Sequence, residues 1–130
     1  MNENQLSRVI VDAALEVHRV LGGPGLLESV YEEALAVELE LRGVRVRRQV
    51  PIVIKYKGRQ LATGLRLDLL ANDIVIIESK SLIRHNSIFD TQALTYLRQS
   101  KLRLALVINF GEKFLRKGIR RVVNRLDACQ

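Results

Sequence analysis

The chain is poor in the residues that brace small proteins from outside a core. It has one cysteine, Cys129, two prolines and no tryptophan, and aromatic residues make up only 5% of its length. A lone cysteine excludes a disulfide framework, a zinc knuckle and a CxxC redox pair within one chain, so a reducing cytoplasm is the expected compartment. No uncharged run approaches the ~18 residues that a membrane span needs. The opening stretch, MNENQLSRVIVDAALEVH, is acidic and amphipathic, where a targeting signal would be basic and then apolar. Neither a membrane nor a targeting role is therefore expected. Also missing are a P-loop, a GxSxG elbow and a dinucleotide fingerprint, which removes the commonest nucleotide and acyl chemistries.

What is present is aliphatic and basic. Leu, Ile and Val supply 45 of the 130 residues, enough for one domain over residues 1–130 with its own core. The net charge is +7 and the pI about 10.1. Residues 1–43 hold eight acids against three bases, while residues 44–130 hold 18 bases against six acids. A basic body suits a polyanion, because each phosphate neutralised releases counterions. Fifteen of the 21 bases are Arg, whose planar fork matches phosphate.

The hydrophobic period divides the chain. Leu6, Val9, Ile10, Ala13, Ala14, Val17, Val20 and Leu21 mark an amphipathic helix over about 4–21, stopped by Gly22-Gly23-Pro24-Gly25. A second helix is expected over about 27–42, with Val30, Ala34, Val37 and Leu41 as its apolar stripe and Gly43 as its stop. The period then becomes two, predicting strands over 46–56, about 61–69 and 74–80, joined by turns at Lys57-Gly58-Arg59 and Ala71-Asn72-Asp73. Ser87 and Asp90 suggest the start of a third helix running to about Ser100, with Phe89, Ala93, Leu94 and Leu97 buried. Leu102 to Phe110 is apolar but for Arg103 and Asn109, the mark of a strand covered on both faces. Leu115, Ile119, Val122 and Leu126 predict a last, basic helix. The order is ααβββαβα, a mixed α/β (α+β) sheet with helices packed on it.

In so apolar a chain the charges inside strands stand out. Asp68 lies within Leu67-Asp68-Leu69-Leu70, and Glu78 and Lys80 end a run of four β-branched residues. Burying them unpaired costs several kcal/mol, so they pair, bind an ion or meet water. Strand alternation puts Glu78 and Lys80 on one face, and a tight turn sets Asp68 opposite or diagonal to Glu78. Two carboxylates with a backbone carbonyl suit a hard cation such as Mg²⁺ or Mn²⁺. A salt bridge from Lys80 to Asp68 or Glu78 accounts for the same residues. Gln92 and Tyr96, at i and i+4, share one face of the third helix, and Glu28 adds a carboxylate ahead of the sheet. His18 is read as a packing residue and His85 as a loop residue. Tyr31 is read as core or functional alike.

These residues resemble the PD-(D/E)xK nuclease superfamily, the restriction-endonuclease-like fold with an αβββαβ core. More narrowly, Gly25, Glu28 and Tyr31 resemble the signature of the bacterial GxxExxY proteins, as does Leu27 through Leu35 around them. On this resemblance the core carries an extra N-terminal helix and a C-terminal basic helix. It also implies that Glu28, Asp68 and Glu78 are acidic metal-site residues, with the backbone carbonyl of Ser79 a further ligand, and that Lys80 is the catalytic lysine. Gln92 and Tyr96 resemble the Q-x-x-x-Y helix of RecB-type and lambda-type exonucleases, which supports the site and contacts nucleic acid. Two departures stand: Leu67 replaces the proline of "PD", and Ser79 is polar where an apolar residue is usual.

The expected activity is metal-dependent hydrolysis of DNA phosphodiesters with Mg²⁺ or Mn²⁺. Arg66, Lys113, Arg116, Lys117, Arg120 and Arg121 are the expected nucleic-acid contacts, Arg66 pairing with Asp68 being the competing reading. Two rival readings are a non-catalytic nucleic-acid-binding module and a subunit needing a homodimer or protein partner, with the acidic first helices as the contact.

Overall fold

A computed structural model describes residues 1–126; Asp127 and Cys129 lie outside the described residues. The chain opens with α1 (Glu3–Val20) and α2 (Glu28–Leu41). Asn2 and Gln5 close a capping box that satisfies the first free amides of α1. Leu6, Ile10, Ala13, Ala14 and Val17 recur on its buried face. Gly22 and Gly23 follow with φ of +86° and +89°, a backbone that other residues reach only with strain, and so turn the chain.

In α2 the buried stripe is Tyr31, Leu35, Ala36 and Leu39, with Glu32 among them, and not the expected Val30, Ala34, Val37 and Leu41. Val37 is 52% and Leu41 76% exposed. The helix has apolar residues on two faces, and the bulkier set, Tyr31, Leu35 and Leu39, takes the core. Val30, Ala34 and Val37 of the other set line a groove beside Val17 and Val20 of α1.

The strands are β1 (Val46–Ile52), β2 (Lys55–Tyr56), β3 (Arg59–Gln60), β4 (Leu65–Ala71), β5 (Val75–Lys80), β6 (Leu104–Asn109) and β7 (Ile119–Val123). The five-stranded sheet has the order β1-β4-β5-β6-β7, with β5 and β6 parallel and the other pairs antiparallel. The expected first strand, over 46–56, is broken after Ile52, and the second, over 61–69, begins only at Leu65: β2 and β3 form a separate small hairpin turning at Lys57 and Gly58, both at positive φ. The crossover from β5 to β6 is α3 (Ile88–Ser100). Ser87 makes no capping bond; Asn86 Oδ1 accepts from Ile88 N–H at 3.0 Å instead. All six residues of β6 are buried, as a strand covered on both faces requires.

The expected basic C-terminal helix is corrected. Residues Leu115–Gly118 form one 3-10 turn, and β7 pairs antiparallel with β6, Ile119 opposite Ile108 and Leu104 opposite Val123. The spacing of Leu115, Ile119 and Val122 fits a helix, but Gly118 interrupts it and the Ile-Arg-Arg-Val-Val run is β-branched. Gly118 is also pressed so close to Asn109 that an added Cβ would lie 2.5 Å from its carbonyl oxygen.

Two cores result, one on each side of the sheet. One joins α1 and α2 to Leu69, Ala71, Val75, Ile77, Leu106 and Ile108. The other joins α3 to Val50, Leu67, Ile76, Ala105 and Val107.

Candidate active site

Strand alternation fails at one place, and that place is Asp68. Leu69 and Ala71 pack under α1 and α2, yet Leu67 packs with α3. Opposite, Val46 borders the first core and Val50 belongs to the second. The switch falls between the pairs Arg48↔Leu69 and Val50↔Leu67, at Gln49 and Asp68. Gln49 has φ +53°, an uncommon conformation for a residue inside a strand, and lets the strand turn over.

The ladder between β4 and β5 ends there too. It runs from Ala71↔Val75 to Leu69↔Ile77, after which Asp68 Oδ2 accepts the Ser79 N–H at 2.9 Å. A side chain takes the role of a strand, and the two strands part around two carboxylates. Glu78 is 6% exposed and its Oε1 has no hydrogen-bond partner; the Ser79 hydroxyl is equally unpartnered. Burial, then the charge of Asp68 and a hydrogen bond with it, push Glu78 up to about 9 against the pull of Lys80.

Lys80 follows on the same face. Its Nζ lies 4.5 Å from the centre of the Phe89 ring, and among the described residues it forms no ion pair within 4 Å. The salt-bridge reading of Lys80 is thereby set aside, and so is an ion pair of Arg66, which is exposed, with Asp68. Glu28 opens α2 at the rim of a cleft of about 390 Å³ that it lines with Leu27, Glu32, Gln49 and Asp68. Desolvation of its carboxyl raises its pKa; Lys80 opposes this, and Asp68 and Glu32 reinforce it. Tyr96 is raised by burial and then by the charges of Glu78 and Asp68. Glu28, Asp68, Glu78, Lys80 and Tyr96 thus share one electrostatic neighbourhood. Gln92 is exposed, one turn earlier on α3, and is not drawn into this cluster. Among the described residues no three carboxylate, imidazole or thiol groups close around one point, so a three-acid ligand set is not preassembled.

The donor chemistry still fits a divalent cation. A buried carboxylate with an orphaned oxygen beside a second carboxylate is what a hard ion would satisfy.

Several residues that sequence reasoning missed hold this arrangement. Glu32 is a buried carboxylate taking Arg48 Nη2 at 3.0 Å and Gln49 Nε2 at 3.0 Å, which fixes the turned-over strand. Asn109, opposite Lys80 on β6, accepts from Leu82 N–H at 2.8 Å and Gly111 N–H at 3.0 Å and donates to Leu82 O at 3.1 Å. An asparagine ending an apolar strand was the only signal. Tyr31 is a core residue: its ring stacks on Phe110 at 4.8 Å and its hydroxyl donates to Gly23 O at 2.7 Å while accepting from Leu26 N–H. Ser81 Oγ then reaches Leu26 O at 3.0 Å, tying the loop before α2 to the end of β5.

His18 is buried, with Nε2 2.8 Å from Glu112 O, and His85 pairs with Asp90 at 3.1 Å. The expected basic face is split. Lys113 and Lys117 flank Phe114 with Arg116 at the 3-10 turn. Arg120 pairs with Val107 on β6, itself the partner of Glu78, while Arg121 bonds Asn4 and Ser7 of α1 on the other face. Neighbours on a strand point to opposite faces, so no single helix face presents them.

No helix among the described residues is long and apolar enough to cross a membrane. A family model described as PD-(D/E)XK nuclease superfamily matches residues 4–122. No curated protein and no solved structure matches the chain.

Proposed function

Since the chain belongs to the PD-(D/E)XK nuclease superfamily, we propose that it is a metal-dependent nuclease hydrolysing DNA phosphodiesters. Nucleases of this superfamily typically use divalent metals and act on nucleic acid. Within it, Gly25, Glu28 and Tyr31 favour kinship with the GxxExxY proteins. The observation that carries the reading is the buried, unsatisfied carboxylate of Glu78 beside Asp68, with an unpaired Lys80 next to it.

Asp68 and Glu78 would hold Mg²⁺ or Mn²⁺, with the Ser79 carbonyl and Glu28 at its margin. The ion when bound supplies Lewis acidity toward the scissile phosphate and eases ionisation of water. Lys80 Nζ donates to a phosphate oxygen and orients the attacking water. The Glu28 carboxyl, whose pKa burial raises, takes a proton from that water, and Tyr96 donates its hydroxyl hydrogen toward the phosphate. Ser79 N–H keeps Asp68 aimed into the cleft.

The test is cleavage of plasmid, linear duplex, single-stranded and branched DNA with Mg²⁺ or Mn²⁺, comparing wild type with Lys80→Ala and Glu78→Ala. Metal-dependent products that vanish in both variants are expected. Products that persist in either overturn the assignment, and Mn²⁺ binding without products would point to a missing partner.

A further inference from the structure

Four bases that the cleft does not use converge at the other end of the sheet. Arg98 lies on the last turn of α3, Lys101 caps that helix, Arg103 leads into β6 and Arg125 follows β7. With Leu102 and Asn124 they line a concavity of about 800 Å³. Among the described residues no acid lines it and none of the four forms an ion pair within 4 Å. All four are exposed, and no described partner neutralises them. The backbone that carries them is braced. Asn124 N–H donates to Arg103 O at 2.8 Å, and Asn124 Nδ2 donates to Leu102 O at 3.2 Å. Lys101 and Arg125 sit at φ +61° and +56°, where glycine or asparagine would fit without strain. Strained positions held by bases favour a role over chance.

The place of this pocket relative to the cleft follows from the register. Glu78 pairs with Val107, and Arg103 lies four residues before Val107 on the neighbouring strand, a separation of roughly 15 Å. At ~3.4 Å per nucleotide, that spans about four to five nucleotides of one strand. A membrane is a poorer occupant, because Leu102 is the one large apolar side chain in the lining and an interfacial site needs an apolar anchor.

We infer that the Arg98–Lys101–Arg103–Arg125 pocket is a second phosphate-backbone contact, gripping the nucleic acid about four to five nucleotides from the phosphate in the cleft. This rests on the nucleic-acid reading above. The probe is a fluorescein-labelled 20-nucleotide single-stranded DNA in EDTA, its anisotropy titrated between 50 and 300 mM salt, so binding is read without cleavage. Neutralising both arginines in Arg98→Gln/Arg103→Gln should lower the slope of log K against log salt by about 1.4 and raise Kd at least about tenfold at 0.1 M salt. Arg98→Lys/Arg103→Lys should keep the slope. Lys101→Gln/Arg125→Gln should repeat the drop, which guards against misfolding of one variant, with thermal melting as the control. Wild-type binding that both glutamine pairs leave unchanged overturns the pocket alone; failure of the wild type to bind overturns the nucleic-acid reading with it.

Discussion

β5 and β6 run side by side, parallel and in register, and both are buried along nearly their whole length. They end in polar residues that face each other, Lys80 against Asn109, yet those residues live under different rules. Asn109 spends its amide on three hydrogen bonds to Leu82 and Gly111. Glu78 and Ser79 each leave a buried oxygen without a partner. Satisfied, buried polar groups stabilise a fold; each unsatisfied one calls for an explanation, whether an ion, a water, a functional role or a tolerated cost. The strand ending in Asn109 closes the structure, and the strand beside it ends in polar groups that the fold leaves open, where the proposed function places its metal ion.

The sharpest way to break that contrast is to remove the open side. Asp68→Ala should reduce metal-dependent DNA cleavage by more than about 10³-fold and Lys80→Ala by about 10²–10³-fold. Urea unfolding of metal-free Lys80→Ala should show little lost stability, while Asp68→Ala, which strands the buried Ser79 N–H, should lose about 1–3 kcal/mol. Cleavage that tracks the stability of each variant would mean that the polar end of β5 is only structural.

The next effect is linked to pH. Glu78 is held near 9 in the folded chain, by burial, by Asp68 and against Lys80, while unfolding returns it to its ordinary value of 4.5. The unfolded state therefore binds fewer protons between these values, and stability falls as pH rises. The contribution is complete below about 4.5 and is lost as pH climbs toward 9, with a slope that cannot exceed about 1.4 kcal/mol per pH unit for one group. Denaturant midpoints of metal-free protein at pH 5.5 and 8.5 should differ accordingly. Glu78→Gln should flatten the profile, and saturating Mn²⁺ should raise the midpoint most at the higher pH. A wild-type profile as flat as that of Glu78→Gln would show that this carboxyl is solvated after all.

The pattern of what the sequence made legible follows from the same physics. Period fixes elements where one face is buried, so α1, α3 and the order of the main strands could be read from apolar spacing. It misled in α2, where two apolar stripes compete and only tertiary packing chooses Tyr31, Leu35 and Leu39. It failed at residues 115–126, where spacing suited a helix but Gly118 and a β-branched run belong to a turn and an edge strand. Asp68, Glu78 and Lys80 stood out because charge inside an apolar strand is costly. Glu32, Gln49 and Asn109 did not, because their meaning lies in partners 16 to 27 residues away.

On the closed side, Asn109→Ala should cost about 2–3 kcal/mol, because it strands the Leu82 amide and carbonyl and the Gly111 amide near the end of the sheet. Urea unfolding measures it. Cleavage should also weaken, since the Phe110 N–H that binds Lys80 O lies next to Asn109, but by far less than in Lys80→Ala. An Asn109→Ala protein as stable as wild type would erase the distinction between the two strand ends.

The smallest expected effect has the opposite sign. Ser79 is 0% exposed and its hydroxyl has no partner, while its backbone N–H, which a substitution keeps, holds Asp68. Ser79→Ala removes a desolvated hydroxyl and leaves that bond in place. It should stabilise the metal-free protein by about 1 kcal/mol with cleavage unchanged, as read from urea midpoints and initial rates. A loss of stability would mean that the hydroxyl is satisfied, most simply by an ordered water. A loss of cleavage at unchanged stability would move Ser79 from the backbone of the site into its chemistry, and the polar residue standing where the superfamily usually has an apolar one would then belong to the mechanism of this chain.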